Sequence, residues 1–272
     1  MMMTSILNAF TVDLEDWFCV GNMENIFPPS IWHEQELRIE RPVKYLLELL
    51  KKHGVRSTFF VLGWIAERCP EVVRSIFEAG HEIGLHGYEH RRVTSMDRET
   101  FETDLRRAFD AVSNVLPREV IVGYRAPSFS IVKKTAWALE SLASFGLKYD
   151  SSIVPLSGHP DYGWSEIQGT IHRLPQGIIE VPITPCFGGG YFRLFPSTIS
   201  GLIASIANRR GKPAIFYIHP WELDPEQPQV ELPHLKYFRH YFNLSKTKSR
   251  LERLLLRFRF GSIGEVLNAN GF

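Results

Sequence analysis

Three carboxylates lie within four positions near the start of the chain, in the stretch AFTVDLEDWF at residues 9–18. Asp13, Glu15 and Asp16 follow an apolar run and directly precede two large aromatic residues. Because ionised carboxylates are costly to remove from water, this placement suggests a functional role. One carboxylate could bind a metal ion while a second acts as a base toward a water molecule. The alternative, on this stretch alone, is that Asp13 or Asp16 caps a following turn.

Two histidines lie four residues apart in the segment LHGYEH, at His86 and His90. Residues at this spacing on one helical turn point the same way. Two imidazoles and one carboxylate are typical of a hydrolytic metal site that keeps positions open for water and substrate. HGYEH differs from the HExxH metalloprotease signature, because its acid occupies the fourth place. The alternative is a surface turn with two solvated histidines.

Three further polar residues follow apolar segments. Arg125, in YRAPSFS, could hold a base carboxylate ionised and oriented, or could form a surface salt bridge. Asp150 could orient an imidazole. His219, in IFYIHPWEL, could act as a general acid, or could be a hydrogen-bonded histidine of the core.

Short apolar strand segments alternate with helical patterns along the chain. The predicted strands cover 5–13, 56–63, 82–87, 121–127, 147–152, 177–184 and 213–220. The predicted helices cover 42–54, 70–80, 98–116, 133–145 and 197–210. Such alternation favours an α/β fold with parallel strands, and about seven units suggest a barrel. The carboxyl ends of barrel strands share one face, so the residues described above would converge there.

The 272 residues carry a net charge of +1 and are 44% hydrophobic, which is ordinary for a globular protein. The near-zero charge predicts no nucleic-acid or membrane-surface partner. We interpret the basic stretch 246–260 as a docked amphipathic helix, because Leu and Phe alternate with its cations at helical spacing. Three widely spaced cysteines, an N-terminus without signal-peptide features and no long apolar run predict a cytoplasmic protein without a transmembrane helix.

As a set, these residues resemble the motifs of the polysaccharide deacetylases, the carbohydrate esterases with the chitooligosaccharide-deacetylase homology domain. The resemblance runs from Asp13 to His219 and includes five family motifs in order. The segments GGGYFR at 188–193 and HPWELDPEQP at 219–228 resemble more narrowly the deacetylases of bacterial exopolysaccharide and exosortase gene clusters. The resemblance implies one catalytic domain over 1–272, built as a distorted (β/α)7 TIM-like barrel, with a family-specific C-terminal extension from about 220.

The resemblance also implies an activity, the metal-dependent removal of N-acetyl groups from the amino sugars of an oligo- or polysaccharide. By position, Asp13 matches the catalytic base and Arg125 the arginine that steadies it. His219 matches the general acid, and Asp150 matches the acid that tunes it.

The implied divalent metal would be held by one carboxylate and two histidines, which His86 and His90 match. We expect Zn²⁺, with Co²⁺, Ni²⁺, Fe²⁺ and Mn²⁺ as alternatives. The family usually has two adjacent aspartates, but here Leu14 follows the first acid. Strand alternation places residues 13 and 15 on the same face, so we prefer Glu15 as the metal carboxylate and keep Asp16 as the alternative.

Candidate substrate-binding residues are Trp17, Pro127, Tyr191 and Trp221. Each aromatic could stack on a sugar ring or could belong to the core. The GGGY segment lacks the ending of a phosphate-binding loop, so we predict a flexible or close-approach substrate loop. Two alternative functions stay open: a related amidohydrolase or deformylase acting on a small or lipid-linked amide, and an inactive carbohydrate-binding homologue.

Overall fold

A computed structural model describes residues 6–159 and 162–272. Its contacts divide the chain into two compact units: Met1–Ser57 with Cys186–Phe272, and Thr58–Pro185. We call them the first and the second unit. The single catalytic domain and its extension from about 220 stay predictions, because a division by contacts does not assign function. The first four residues of the chain and Ser5 of the first predicted strand lie outside the described residues.

Strands and helices are numbered in chain order. The strands are β1 (Leu7–Leu14), β2 (Thr58–Val61), β3 (Glu82–Leu85), β4 (Ile121–Tyr124), β5 (Tyr149–Asp150), β6 (His172–Arg173), β7 (Ile179–Glu180), β8 (Ile215–Ile218) and β9 (Arg259–Gly261). The helices are α1 (Glu40–Lys52), α2 (Gly63–Arg68), α3 (Pro70–Glu78), α4 (Arg98–Ser113), α5 (Trp137–Ser144), α6 (Gly189–Leu194), α7 (Ser197–Arg209), α8 (His234–Tyr241), α9 (Leu244–Arg257) and α10 (Ile263–Ala269).

In the first unit, β1 pairs in parallel with both β8 and β9. The β1–β8 register ends at Val12 opposite Ile218, so the chain leaves both strands at the same edge. Nearly every residue of β1 is buried, and its polar residues Asn8 and Thr11 form hydrogen bonds with main-chain groups of residues 214 and 216. The register therefore sets Asp13 and His219, the next residue of each segment, side by side.

The C-terminal amphipathic helix is confirmed as α9, with Leu251, Leu254 and Leu255 buried. These apolar residues recur at helical spacing, so burying that face stabilises the helix against the unit. Helix α10 begins with a capping box, in which Ser262 and Glu265 each satisfy the other's backbone N–H.

In the second unit, β2, β3, β4, β5 and β7 pair successively in parallel, and β6 pairs antiparallel with β7. The helices follow the predicted periodicity: α4 buries Phe101, Leu105 and Val112 against its neighbours. A Cβ atom on Gly63, at the start of α2, would lie 2.8 Å from the Cα atom of Ala108, so glycine permits the close packing of α2 on α4.

Several predicted elements are shorter than expected. The strand predicted over 147–152 is reduced to the two residues of β5, and that over 177–184 to the two residues of β7. The helix predicted over 133–145 divides into a 3₁₀ turn and α5. An apolar run in the sequence predicts that a segment is buried, but it does not predict how many of its residues form hydrogen bonds with a neighbouring strand.

The flexible-loop prediction for GGGY is wrong, because Gly189–Leu194 forms α6. The alternative, a close approach to the substrate, stays a prediction, and the structure shows a close approach to β8 instead. Gly188 has φ of 142°, and a Cβ atom there would lie 2.2 Å from the carbonyl oxygen of Tyr217. Only glycine fits this backbone contact with β8.

Candidate active site

The first unit brings together a histidine and two acids at the edge where β1 and β8 end. The Nε2 atom of His219 lies 3.8 Å from Oδ2 of Asp13 and 4.0 Å from Oε1 of Glu15. The backbone N–H of Glu15 donates to the carbonyl of Asp13, which turns the chain tightly after the strand. Both acids are 2% exposed, so an acid–base pair lies in a largely dry environment.

The other nitrogen of His219 has a partner that sequence reasoning missed. The 3₁₀ helix Pro220–Leu223 starts directly after His219 and turns Glu222 back toward it. Glu222 Oε2 lies 2.8 Å from Nδ1 of His219 and also accepts the backbone N–H of His219. Burial lowers the pKa of His219, but the charges of Glu15, Glu222 and Asp13 outweigh it and raise the pKa to about 9.

Glu222 is in turn paired with Arg193 of α6. Arg193 Nε donates to Oε1 of Glu222 over 2.6 Å, and both side chains are fully buried. Burial raises the pKa of Glu222, but the Arg193 charge and the His219 contact overcome it and hold the pKa at about 2. Sequence reasoning missed this pair, although an acid three residues after a candidate acid–base histidine was a usable signal.

Asp16 has a different environment from Glu15. One oxygen of Asp16 accepts the backbone N–H of Trp17, and the other accepts those of Arg38 and Ile39. Burial raises the pKa of Asp16 to about 6, while these hydrogen bonds oppose that shift. The carboxylate therefore fixes the chain at residues 38–39, where α1 begins.

In the second unit, His86 directly follows β3 and is buried. Its Nδ1 atom lies 2.8 Å from the carbonyl oxygen of Arg125, so Nδ1–H donates there and Nε2 is the nitrogen with a lone pair. The ring centroids of His86 and His90 are 5.4 Å apart. His90 has φ of 54°, which a non-glycine residue rarely adopts. The unit thus presents two neighbouring imidazoles.

Arg125 is fully buried at the end of β4. Its Nε and Nη2 atoms donate to the carbonyl and the hydroxyl oxygen of Ser151, and its guanidinium carbon lies 4.2 Å from the centroid of the Phe60 ring. These contacts hold the guanidinium rigidly.

Asp150, at the end of β5, is also fully buried. Its oxygens accept the hydroxyl and the backbone N–H of Ser152, and its neighbour is a second buried acid, Glu180. Burial raises the pKa of both acids, and that of Glu180 lies well above its usual value. The charge of Asp150 adds to this shift, because two neighbouring carboxylates repel each other.

The predicted substrate-binding residues divide by exposure. Trp17 is buried and donates from its indole N–H to the carbonyl of Glu36, as a core aromatic does. Pro127 is buried in a 3₁₀ turn, whereas Tyr191 is partly exposed on α6. Trp221 is buried and stacks on His219, and its indole N–H meets no acceptor among the residues that the structure describes.

Two family models match the chain, one on each side of Asp150. Residues 40–149 match the model described as polysaccharide deacetylase. Residues 151–268 match a model described as a domain of unknown function (DUF3473).

Among curated proteins, the chain is 32% identical over 127 residues to a peptidoglycan deacetylase of Helicobacter pylori, which covers 45% of this chain and 42% of the relative. The matched segment spans less than half the length of the first curated relatives. The family model and these relatives support the polysaccharide deacetylase family for the part of the chain that they match.

Among solved structures, a Mycobacterium smegmatis chain assigned as a polysaccharide deacetylase matches with a TM-score of 0.67 at 20% identity, covering 98% of this chain and 91% of that chain. A carbohydrate esterase family 4 pseudoenzyme of Bacillus anthracis matches with a TM-score of 0.52 at 14% identity, covering 97% and 66%. At these identities the likeness shows the fold alone. The predicted fold class, an α/β chain of the (β/α)7 barrel type, is confirmed.

A search of the described helices found none long and apolar enough to span a membrane.

Proposed function

We propose that the protein is a metal-dependent hydrolase that removes N-acetyl groups from the amino sugars of a bacterial polysaccharide or its precursor. The observation that carries the proposal is the environment of His219. One of its nitrogens is held by Glu222, and the other faces the buried acids Asp13 and Glu15. Amide hydrolysis needs such a pair, a base for water and an acid for the leaving nitrogen. Assignment to the deacetylase family supports the same reaction.

The proposed metal ligands are Glu15, His86 and His90, as the family resemblance implies. Their donors fit a divalent ion, since a carboxylate and two neutral imidazoles suit zinc and leave positions for water and substrate. His86 is already set for this role, because its Nδ1 is occupied by the Arg125 carbonyl. Asp16 stays the second candidate, but the backbone N–H groups on both its oxygens favour Glu15. A bound metal would polarise the acetyl carbonyl and make a water molecule more acidic.

In the proposed reaction, Asp13 takes a proton from the attacking water, and His219 gives one to the leaving amine nitrogen. The Glu222 carboxylate on Nδ1 favours the protonated imidazole that a general acid requires. Arg125 is proposed to steady Asp13, following the family resemblance. Tyr191, which is partly exposed, and Trp221 stay the proposed sugar contacts.

We propose an exopolysaccharide as the substrate class, because the GGGYFR and HPWELDPEQP segments resemble those of deacetylases from exopolysaccharide gene clusters. Zinc is the proposed metal, and the cytoplasm stays the proposed location. Two rivals remain: a small-amide hydrolase with the same residues, and an inactive sugar-binding homologue. The similar Bacillus anthracis structure is described as a pseudoenzyme.

The test is acetate release from N-acetylhexosamine oligomers with added Zn²⁺. We expect Asp13→Asn and His219→Ala each to lower kcat by about 10²–10⁴-fold, because each removes a proton-transfer group. Glu34→Gln and His33→Ala, at exposed positions, serve as matched controls and should keep the wild-type rate. Equal rates in all variants would refute the assigned roles. Release from small amides alone would favour the first rival, and sugar binding by metal-loaded protein without turnover the second.

Bound metal provides a readout independent of turnover. Glu15→Ala should lose most of the zinc measured by elemental analysis after dialysis, whereas Asp16→Asn should retain it. The reverse result would move the ligand assignment from Glu15 to Asp16.

A further inference from the structure

We propose that Glu222 and Arg193 are positioning residues that hold the His219 ring with Nδ1 on Glu222 and Nε2 toward Asp13 and Glu15. The inference rests on the proposed function for its kinetic part, because it treats His219 as the group that protonates the leaving nitrogen. It assigns to two residues of the C-terminal half a role that sequence reasoning gave to Asp150.

The geometry of Glu222 uses both of its oxygens. Oε2 accepts the backbone N–H of His219 over 3.0 Å and contacts Nδ1 of the ring at 2.8 Å, while Oε1 accepts from Arg193 over 2.6 Å. Since the ring donates Nδ1–H to a carboxylate, its neutral form carries the lone pair on Nε2. The proton that His219 can transfer is therefore the one on Nε2, on the side of Asp13 and Glu15.

Arg193 is itself fixed by main-chain groups. Its Nη1 donates to the carbonyls of His240 and Phe242, and its Nη2 to that of Arg239. These carbonyls belong to the last residues of α8 and the residue that follows. All three guanidinium nitrogens are thus engaged, so Arg193 cannot turn without breaking several bonds.

Ring stacking holds His219 from a second direction. The centroid of Trp221 lies 5.5 Å from that of His219 and 4.3 Å from that of His240, and the planes are inclined by 23° and 3°. The guanidinium of Arg193 lies 5.1 Å from the Trp221 ring. One arginine therefore contacts both supports of the histidine, the carboxylate and the indole.

Asp150 does not offer the equivalent support in its own unit. Its oxygens are engaged by Ser152, and its neighbour is a second buried acid, Glu180. Glu222 instead has an ionised carboxylate in contact with the imidazole.

The first test is Glu222→Gln. An amide has one acceptor and one donor end, so it cannot accept from both Arg193 and His219. We expect kcat on an N-acetylated oligomer to fall by about 100-fold with KM within about twofold, because only the proton transfer is affected. Asp224→Asn, which removes a carboxylate paired with Arg38 two residues further on, is the matched control and should leave kcat unchanged.

The second readout needs no substrate. A hydrogen-bonded imidazole N–H gives a downfield ¹H NMR signal, which the His219→Gln variant assigns. We expect this signal in the wild type and in Asp224→Asn, and its loss or displacement in Glu222→Gln. An unchanged signal in Glu222→Gln would overturn the proposal. If the wild type releases no acetate from any glycan while the signal behaves as expected, the proposed function fails and the positioning of the ring stands.

The double variant Arg193→Met with Glu222→Gln distinguishes a loss of stability from a loss of ring positioning, because it leaves no unpaired buried charge. It should recover stability relative to Arg193→Met while its kcat and its His219 signal stay those of Glu222→Gln. Recovery of kcat together with stability would show a purely structural role and overturn the inference.

Discussion

Two buried glutamates, one in each unit, differ in the charge they carry. Glu180 ends β7 and Glu222 follows β8, and neither is exposed. Burial raises the pKa of both. For Glu222 the cation Arg193 and the contact with His219 reverse that effect, and its pKa is about 2. Glu180 has another acid, Asp150, as its neighbour, and its pKa lies well above the usual range.

The difference shows that the partner, and not burial, decides the charge of an acid at a strand end. Glu222 is anionic at neutral pH and can orient an imidazole. At Glu180, burial and the neighbouring acid Asp150 both favour the protonated form. Replacing each glutamate by glutamine should therefore change the free energy of unfolding in opposite directions at Glu222 and at Glu180.

Breaking the Arg193–Glu222 pair should have the largest effect on stability. Arg193→Met leaves the Glu222 carboxylate buried without its cation, which costs about 3–5 kcal/mol in the free energy of unfolding. Urea unfolding at pH 7 measures this change. Arg38→Met, at the partly exposed pair with Asp224, is the control and should cost less. A loss for Arg193→Met no larger than that of the control would contradict the comparison.

Arg193 also acts on the neighbouring histidine His240, whose pKa it shifts in the unfavourable direction for a proton. Burial lowers the pKa of His240 and the Arg193 charge lowers it further, to about 3. The folded protein therefore keeps His240 neutral where the unfolded chain, with an ordinary value of 6.5, takes up a proton. Stability is retained above pH 6.5 and is lost as the pH falls toward 3, by about 2 kcal/mol at pH 5 from this residue.

His240→Phe keeps an aromatic ring beside Trp221 and removes the titration. Its unfolding free energy should lose about 2 kcal/mol less than that of the wild type between pH 7 and pH 5. His234→Phe, at an exposed position of the same helix, should follow the wild type. Parallel curves for His240→Phe and wild type would show that His240 is protonated in the folded state.

Sequence periodicity could predict the long elements, because α1, α4 and α9 bury apolar residues at regular spacing. It predicted β5 and β7 only as longer segments and missed β6, since hydrogen-bonded pairing leaves little trace in so few side chains. The acids and imidazoles were identifiable because they follow apolar strands.

The residues that hold the candidate catalytic histidine in place were harder to predict from the sequence. Arg193 and Glu222 are 29 residues apart, and only the packing of α6 near the turn after β8 joins them. The roles of Glu15 and Asp16 also depend on backbone geometry. The tight turn at residue 15 and the N–H groups of residues 38 and 39 are not visible in residue types.

The smallest expected effect is at the other member of the comparison, Glu180. Because its folded pKa is raised, its favourable contribution is complete below the ordinary value of 4.5 and is lost as the pH rises above it. Glu180→Gln supplies an N–H donor to Asp150 without a bound proton, while its carbonyl can still accept from the backbone N–H of Ile153.

We therefore expect Glu180→Gln to raise the free energy of unfolding at pH 7 by about 1 kcal/mol, the net size of one hydrogen bond. Its advantage over the wild type should grow between pH 5 and pH 8, which urea titrations at both values measure. Glu222→Gln, the same chemical change beside Arg193, should be destabilised at both. A loss of stability in Glu180→Gln that is independent of pH would mean that Glu180 is ionised in the folded protein, because only a protonated acid can be replaced by an amide without losing charge.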